Sequence, residues 1–261
     1  MKIALNTLVL QSYKAEEAVE AAKFLGAVEI NGRHLPPNTP LDEARELLRG
    51  LTVVNIGAYT GGFTSGDHQS ILEELAKYVG LAQAIGAPAI RVYPGGPSLG
   101  DIDPNQYKRA VTGLKEAAHL ANPLKLYFEL HHGDLADNAN NVMRLIEDID
   151  ADNLGVILDP ANLFIGKADY LDKAVKTLGT RLSLVHMKDL KKLPSSAPKA
   201  FLIDGTYYSH QLLGEGDLKL EELICVLKEN GYKGYLSLEY HGDDATPQIV
   251  KREAEWLSKR L

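Results

Sequence analysis

Apolar residues in this chain alternate between two arrangements. Short continuous runs occur at 2–8, 27–31, 51–58, 89–93, 126–130, 155–158, 181–186 and 235–239. Runs of this length and apolarity predict strands buried on both faces. Between them, apolar residues recur at three- and four-residue intervals. Examples are Ala18, Val19, Ala22 and Leu25; Leu72, Leu75, Val79, Ala82 and Ile85; Val142, Leu145, Ile146 and Ile149; and Leu220, Leu223, Ile224 and Leu227. That spacing predicts amphipathic helices. Thr39-Pro40-Leu41-Asp42, Asp103-Pro104 and Thr246-Pro247 supply helix starts, and Gly26, Gly50, Gly86 and Gly231 supply stops.

Eight strands alternating with eight helices imply parallel strands joined by crossovers. In a chain of this length the expected fold is α/β, a single-domain (β/α)8 TIM barrel over residues 1–261. A doubly wound sheet would carry a Gly-rich fingerprint after its first strand, where this chain has Asn6-Thr7-Leu8-Val9. One segment, 188–217, carries few periodic signals. It reads as a long loop after the seventh strand, either a lid or an oligomer contact, with Tyr207-Tyr208 suited to either.

Composition narrows the function classes. Hydrophobic residues make up 45% and charged residues 24%, with a net charge of -7. Lys188, Lys191 and Lys192 form the only basic cluster, so no nucleic-acid partner is expected. No apolar stretch has the length of a membrane helix. The single cysteine, Cys225, falls among Leu223, Ile224 and Leu227 and reads as a core thiol. With no disulfide available and a strand from the start, a cytoplasmic protein is expected.

The strand ends carry the chemistry. The fifth, sixth, seventh and eighth runs close on Glu129, Asp159, His186 and Glu239. TIM barrels hold their sites at the carboxyl ends of the strands, so these four side chains can converge. Three carboxylates and an imidazole suit a single divalent ion, Mn²⁺ foremost, with Mg²⁺ or Co²⁺ as alternatives. An ion holding a hydroxyl and a neighbouring carbonyl acidifies the adjacent C–H. Glu129 and Glu239 could then remove and return a proton.

Phe128-Glu129-Leu130-His131-His132-Gly133, Leu158-Asp159-Pro160-Ala161-Asn162-Leu163, Val185-His186-Met187-Lys188-Asp189, Leu213-Gly214-Glu215-Gly216-Asp217 and Ser237-Leu238-Glu239 together resemble the xylose isomerase-like TIM-barrel superfamily, the sugar phosphate isomerase/epimerase group. The resemblance implies that Glu129, Asp159, His186 and Glu239 bind one divalent metal, often Mn²⁺, and that the two glutamates form the acid/base pair. It matches His131 to a histidine common two residues after the first glutamate. Two positions depart from the ketose 3-epimerases of that group. Asn162 stands where they have a histidine, and Lys188, Lys191 and Lys192 stand where they have a substrate-gripping arginine.

The expected activity is therefore a metal-dependent isomerase or epimerase acting on a keto-sugar or related polyol. The alternative is a lyase or dehydratase on the same site, of the inosose dehydratase or glycoside-eliminating kind. An endonuclease-like trinuclear cluster would need more histidines than His34, His68 and His210 supply in pattern, and a non-catalytic sugar- or partner-binding barrel is the remaining class. His131, Asn162, Lys188, Tyr93 and His34 are the candidate substrate contacts, with Tyr59 and Phe63 as further pocket walls and His241 as a weak contact. His131 and His132, adjacent in extended chain, should point opposite ways. Glu29 is expected to line the cavity or to pair with a helix-start donor, Arg91 to neutralise acids inside the barrel or pack there rather than touch substrate, Asp189 to orient a neighbouring group, and His119 to be structural. A small-molecule sugar or polyol is the expected partner, and a homo-oligomer is compatible with the chain.

Overall fold

The computed structural model describes all 261 residues. In chain order the barrel strands are β1 (Lys2–Asn6), β2 (Ala27–Asn31), β3 (Thr52–Gly57), β4 (Ala89–Val92), β5 (Lys125–Glu129), β6 (Leu154–Leu158) and β7 (Leu182–Met187). Three strands outside the barrel follow, β8 (Asp189–Leu193), β9 (Phe201–Ile203) and β10 (Thr206–Gln211), and then the last barrel strand, β11 (Tyr235–Leu238). The eight barrel strands are parallel and close in the order β1-β11-β7-β6-β5-β4-β3-β2. The helices are α1 (Ala15–Glu20), α2 (Leu41–Leu47), α3 (His68–Ile85), α4 (Pro104–Ala121), α5 (Ala139–Ile149), α6 (Pro160–Ile165), α7 (Asp172–Leu178), α8 (Leu220–Glu229) and α9 (Pro247–Ser258). The expected (β/α)8 barrel is the observed fold, and no helix is long and apolar enough to cross a membrane.

The barrel interior is layered with a period of two residues, as strand geometry requires. Ala4, Ala27, Val54, Ala89, Tyr127, Ile157 and Leu184 form an apolar cluster at the amino-terminal end. Two positions further along six of these strands sit Asn6, Glu29, Arg91, Glu129, Asp159 and His186, all buried. On β3 the spacing is broken. A register shift beside Val28 and Glu29 aligns Asn55 with Glu29, and the bulge turns Asn55 inward. One polar layer therefore rests on one apolar layer, and the site is built on the former.

Some expected elements differ. The first strand stops at Asn6, whose side-chain oxygen accepts from Leu8 N and caps a short 3-10 turn over Thr7–Leu10. Helix α6 has no counterpart in the apolar pattern. It starts at Asp159-Pro160, an acidic N-cap followed by proline. Cys225 is exposed: Leu223, Ile224 and Leu227 turn into the core, and the intervening residue faces solvent.

The aperiodic segment 188–217 is largely an antiparallel sheet in the order β8-β10-β9. It lies across the barrel mouth, and Phe201, Ile203 and His210 face the cavity below. Asp189 anchors the return of the chain. Its Oδ2 accepts from the amides of Gly214 and Gly216, and its Oδ1 from those of Leu190 and Leu218. Gly216 is needed for this approach, because a Cβ there would collide with the Asp189 carboxylate and with the Leu190 carbonyl. Gly216→Ala should cost about 2–3 kcal/mol, lowering the melting temperature by roughly 4–12 °C. Gly100→Ala, where nothing lies within reach of the added carbon, should leave it nearly unchanged. Thermal denaturation followed by circular dichroism checks both, and equal melting temperatures for the two variants would contradict the clamp.

Candidate metal centre

Glu129 is the last residue of β5, Asp159 follows β6, His186 lies near the end of β7, and Glu239 follows β11. All four are buried, and one ligand atom from each lies within 4.8 Å of the others. Each side chain is held by its own local structure. Asp159 uses Oδ1 as the N-cap of α6, accepting from the amides of Ala161 and Asn162 at 2.9 Å, so its Oδ2 turns to the centre. Glu239 Oε1 accepts from Asn6 Nδ2 at 2.8 Å, leaving Oε2 to the centre. Glu129 Oε2 accepts from Arg91 Nη1 at 2.7 Å and from the Tyr93 hydroxyl at 3.0 Å, while Oε1 accepts from Asn162 Nδ2 at 3.1 Å.

His186 is oriented from behind. Its Nε2 donates to Glu29 at 3.1 Å, and Glu29 also accepts from Asn55 Nδ2 and Ser237 Oγ. The opposite nitrogen, Nδ1, has no hydrogen-bond partner of acceptable geometry. It faces Glu239 Oε2 at 3.1 Å, Glu129 Oε1 at 3.4 Å and Asp159 Oδ2 at 3.5 Å. A buried nitrogen aimed between three carboxylate oxygens fits a shared cation.

The charge count points the same way. Glu29, Glu129, Asp159 and Glu239 place four formal negative charges in the barrel interior. Arg91 and Lys188 place two positive ones there, and Lys188 Nζ stands 2.6 Å from Asp159 Oδ2 and 3.0 Å from Glu239 Oε2. The remainder, four minus two, is the charge of one divalent ion. Buried charges without compensation cost several kcal/mol each, so the donor set and the balance both fit such an ion.

Burial alone would raise the Glu129 carboxyl. The Arg91 guanidinium and His186 outweigh burial and hold it well below the usual carboxylate range. Glu239 is lowered likewise, against burial, by His186 and Lys188. Both glutamates are thus unprotonated at neutral pH and able to accept a proton.

A cavity of about 360 Å³ opens directly above these residues. Leu8, Ile165, Leu190, Phe201 and Ile203 give it apolar walls, and Tyr59, Tyr93, Arg33 and Gln11 line its polar side. A larger groove of about 730 Å³ lies beside α1 and α9, lined by groups such as Glu16, Glu20 and Lys251. It contains none of the clustered ligands.

Most of the expected contacts are brought to this cavity. His131, Asn162, Lys188, Tyr93, Tyr59 and His241 line it. His34 does not: its Nε2 donates to the Tyr13 carbonyl at 3.2 Å, away from the cavity. Phe63 is fully buried against His68 rather than forming a wall. His131 and His132 do not point opposite ways. The strand has ended at Glu129, and in the turn beyond it their rings stack at 4.5 Å with both lining the cavity. His34, His68 and His210 do not join the ligand cluster. His210 stacks on Phe201 in the lid sheet at 4.8 Å, and burial, then His241, depresses its imidazole to about 3.

Glu29 neither lines the cavity nor caps a helix, and instead holds His186 from behind. The signal was available in the strand period: Glu29 follows Ala27 by two, as Glu129 follows Tyr127. Arg91 neutralises an acid inside the barrel, as its place at the end of the fourth strand suggests, in a fully buried ion pair with Glu129.

Known proteins resemble this chain along its length. An inosose dehydratase from Salmonella typhimurium is 24% identical over 258 residues, covering 89% of this chain and 82% of that protein. One from Clostridium perfringens is 26% identical over 150 residues, so the chain spans about half of that relative, 50%. Among solved structures, the probable 3-DHS dehydratase AsbF from Bacillus anthracis superposes with a TM-score of 0.81 at 21% identity over 100% of both chains. D-allulose 3-epimerase from Methylomonas sp. gives 0.79 at 17% identity, covering 100% of this chain and 98% of the other. The family model for the xylose isomerase-like TIM barrel matches residues 16–260, and the chain belongs to that family.

Proposed function

We propose that the chain catalyses metal-dependent proton transfer at the carbon beside a carbonyl in a small keto-sugar or related polyol, as an isomerase or epimerase. The observation that carries this reading is the group Glu129, Asp159, His186 and Glu239, gathered within 4.8 Å beneath a cavity sized for a small molecule. Mn²⁺ is the proposed ion. When bound, a divalent cation supplies Lewis-acid polarisation of neighbouring hydroxyl and carbonyl oxygens.

Glu129 and Glu239 approach from strands separated by β6 and β7 around the ring, so one can take the proton and the other return it. Arg91 and Tyr93 fix Glu129, and Asn6 fixes Glu239. The Lys188 ammonium, buried beside Asp159 and Glu239, stabilises negative charge developing on a substrate oxygen. The apolar lid residues Phe201 and Ile203 exclude water from the reacting carbon.

A second reading, dehydration after the same C–H removal, is favoured by one specific feature. The Asn162 amide is committed to Glu129 and to the Leu130 carbonyl, whereas His131 and His241 line the mouth and offer a proton path to a departing hydroxyl. The relatives described as inosose dehydratases support the same alternative.

Incubating the Mn²⁺-loaded protein in D₂O with a panel of ketoses and inososes should place deuterium beside the carbonyl of one member. Glu239→Gln should slow this exchange by roughly 10²–10⁴-fold. Mass spectrometry separates the two readings, because dehydration removes one water and isomerisation leaves the mass unchanged apart from deuterium. The absence of both outcomes across the panel would contradict the proposal.

Metal binding should also depend on pH. Burial would lower the His186 imidazole, but Glu239, Glu29 and Glu129 outweigh it and hold the group well above its usual range. In the metal-free protein the imidazole is therefore protonated near neutrality, and an ion must displace that proton. Affinity should rise by about tenfold per pH unit between roughly pH 6 and 8. Calorimetric titration with Mn²⁺ at several pH values measures this, and a flat profile would contradict it.

A further inference from the structure

We infer that Glu29 is a positioning residue for the metal centre, acting through His186. This inference rests on the metal-centre reading above. Glu29 has no accessible surface and is not one of the clustered ligands. In the layer immediately beneath, the strands carry Ala, Val, Ile, Leu and Tyr, so an apolar side chain could fill the barrel at this height without the cost of a buried charge. A carboxylate here calls for a reason.

Its hydrogen bonds supply one. Oε1 accepts from Asn55 Nδ2 at 2.9 Å, and Oε2 accepts from Ser237 Oγ at 2.7 Å. Both oxygens face His186 Nε2, at 3.3 and 3.1 Å. The bulge in β3 that turns Asn55 inward serves this contact. With Asn55 and Ser237 fixing the carboxylate plane, the remaining acceptor directions lie along the imidazole edge. A proton on Nε2 is held by Glu29, which leaves the Nδ1 lone pair directed between Glu129, Asp159 and Glu239. An imidazole with the proton on Nδ1 would instead present N–H to the cation, and one with its ring flipped would present the Cδ2–H edge. A carboxylate behind a ligating histidine also raises its basicity.

Glu29→Gln retains the shape and an acceptor oxygen while removing the charge. Calorimetric titration with Mn²⁺ at pH 7.5 or so should show affinity reduced by about 10–100-fold. The melting temperature of the metal-free variant should be unchanged or raised, because one of four neighbouring negative charges is gone. Ser237→Ala keeps the carboxylate but frees its plane, and should weaken Mn²⁺ binding by a smaller factor. It gives an independent answer if Glu29→Gln does not fold. Mn²⁺ affinity equal to wild type in whichever of these variants folds would overturn the inference while leaving the metal centre intact. A lowered metal-free melting temperature with unchanged affinity would assign Glu29 to packing and also overturn it. If the wild-type protein bound no Mn²⁺, the inference and the metal-centre reading would fall together.

Discussion

The structure depends on keeping four carboxylates inside a closed ring of strands. Like charges at this separation and burial repel strongly unless matched. The chain matches part of that charge itself, with the Arg91 pair to Glu129 and the Lys188 ammonium between Asp159 and Glu239. The two negative charges left over would be balanced by one divalent cation, and the unpartnered face of His186 points to where that ion would sit. Hydrogen bonds from Asn6 fix Glu239, those from Tyr93 and Asn162 fix Glu129, and those from Asn55 and Ser237 fix Glu29 behind His186. The apolar layer below seals the barrel and denies these groups water from the other end.

That arrangement explains what could be read from the order of residues. Short apolar runs ending in Glu129, Asp159, His186 and Glu239 mark strand ends directly, and eight of them in alternation with helices define the barrel. Glu29 escaped because it lies inside its strand, flanked by Val28 and Ile30, where an acid looks like a boundary residue. Only the two-residue interior period, Ala27 then Glu29, exposes it. Asn55 was hidden further by a bulge, which no periodicity reports. The role of Lys188 depends on long-range pairing, and a lysine two residues beyond a strand histidine reads equally well as solvated.

The misreadings share a cause. His131 and His132 were assigned by strand alternation, but the strand had ended, so they stack instead of diverging. Helix α6 is one and a half turns long and too short to show a period, although Asp159-Pro160 names its start. The lid sheet over 189–211 has strands too short and too mixed to stand out, and its position over the mouth follows from pairing with itself and from the Asp189 clamp. That clamp ties the lid's return to the residue three beyond His186, so the roof of the cavity and its floor share one short stretch of chain.

Anomalous diffraction from crystals grown or soaked with Mn²⁺ locates any ion the barrel holds. One strong anomalous peak is expected, enclosed by Glu129, Asp159 Oδ2, His186 Nδ1 and Glu239, with Glu29 still bonded to the far side of the imidazole. A well-ordered barrel with no peak between those four groups, or with the ion held elsewhere, would contradict that expectation.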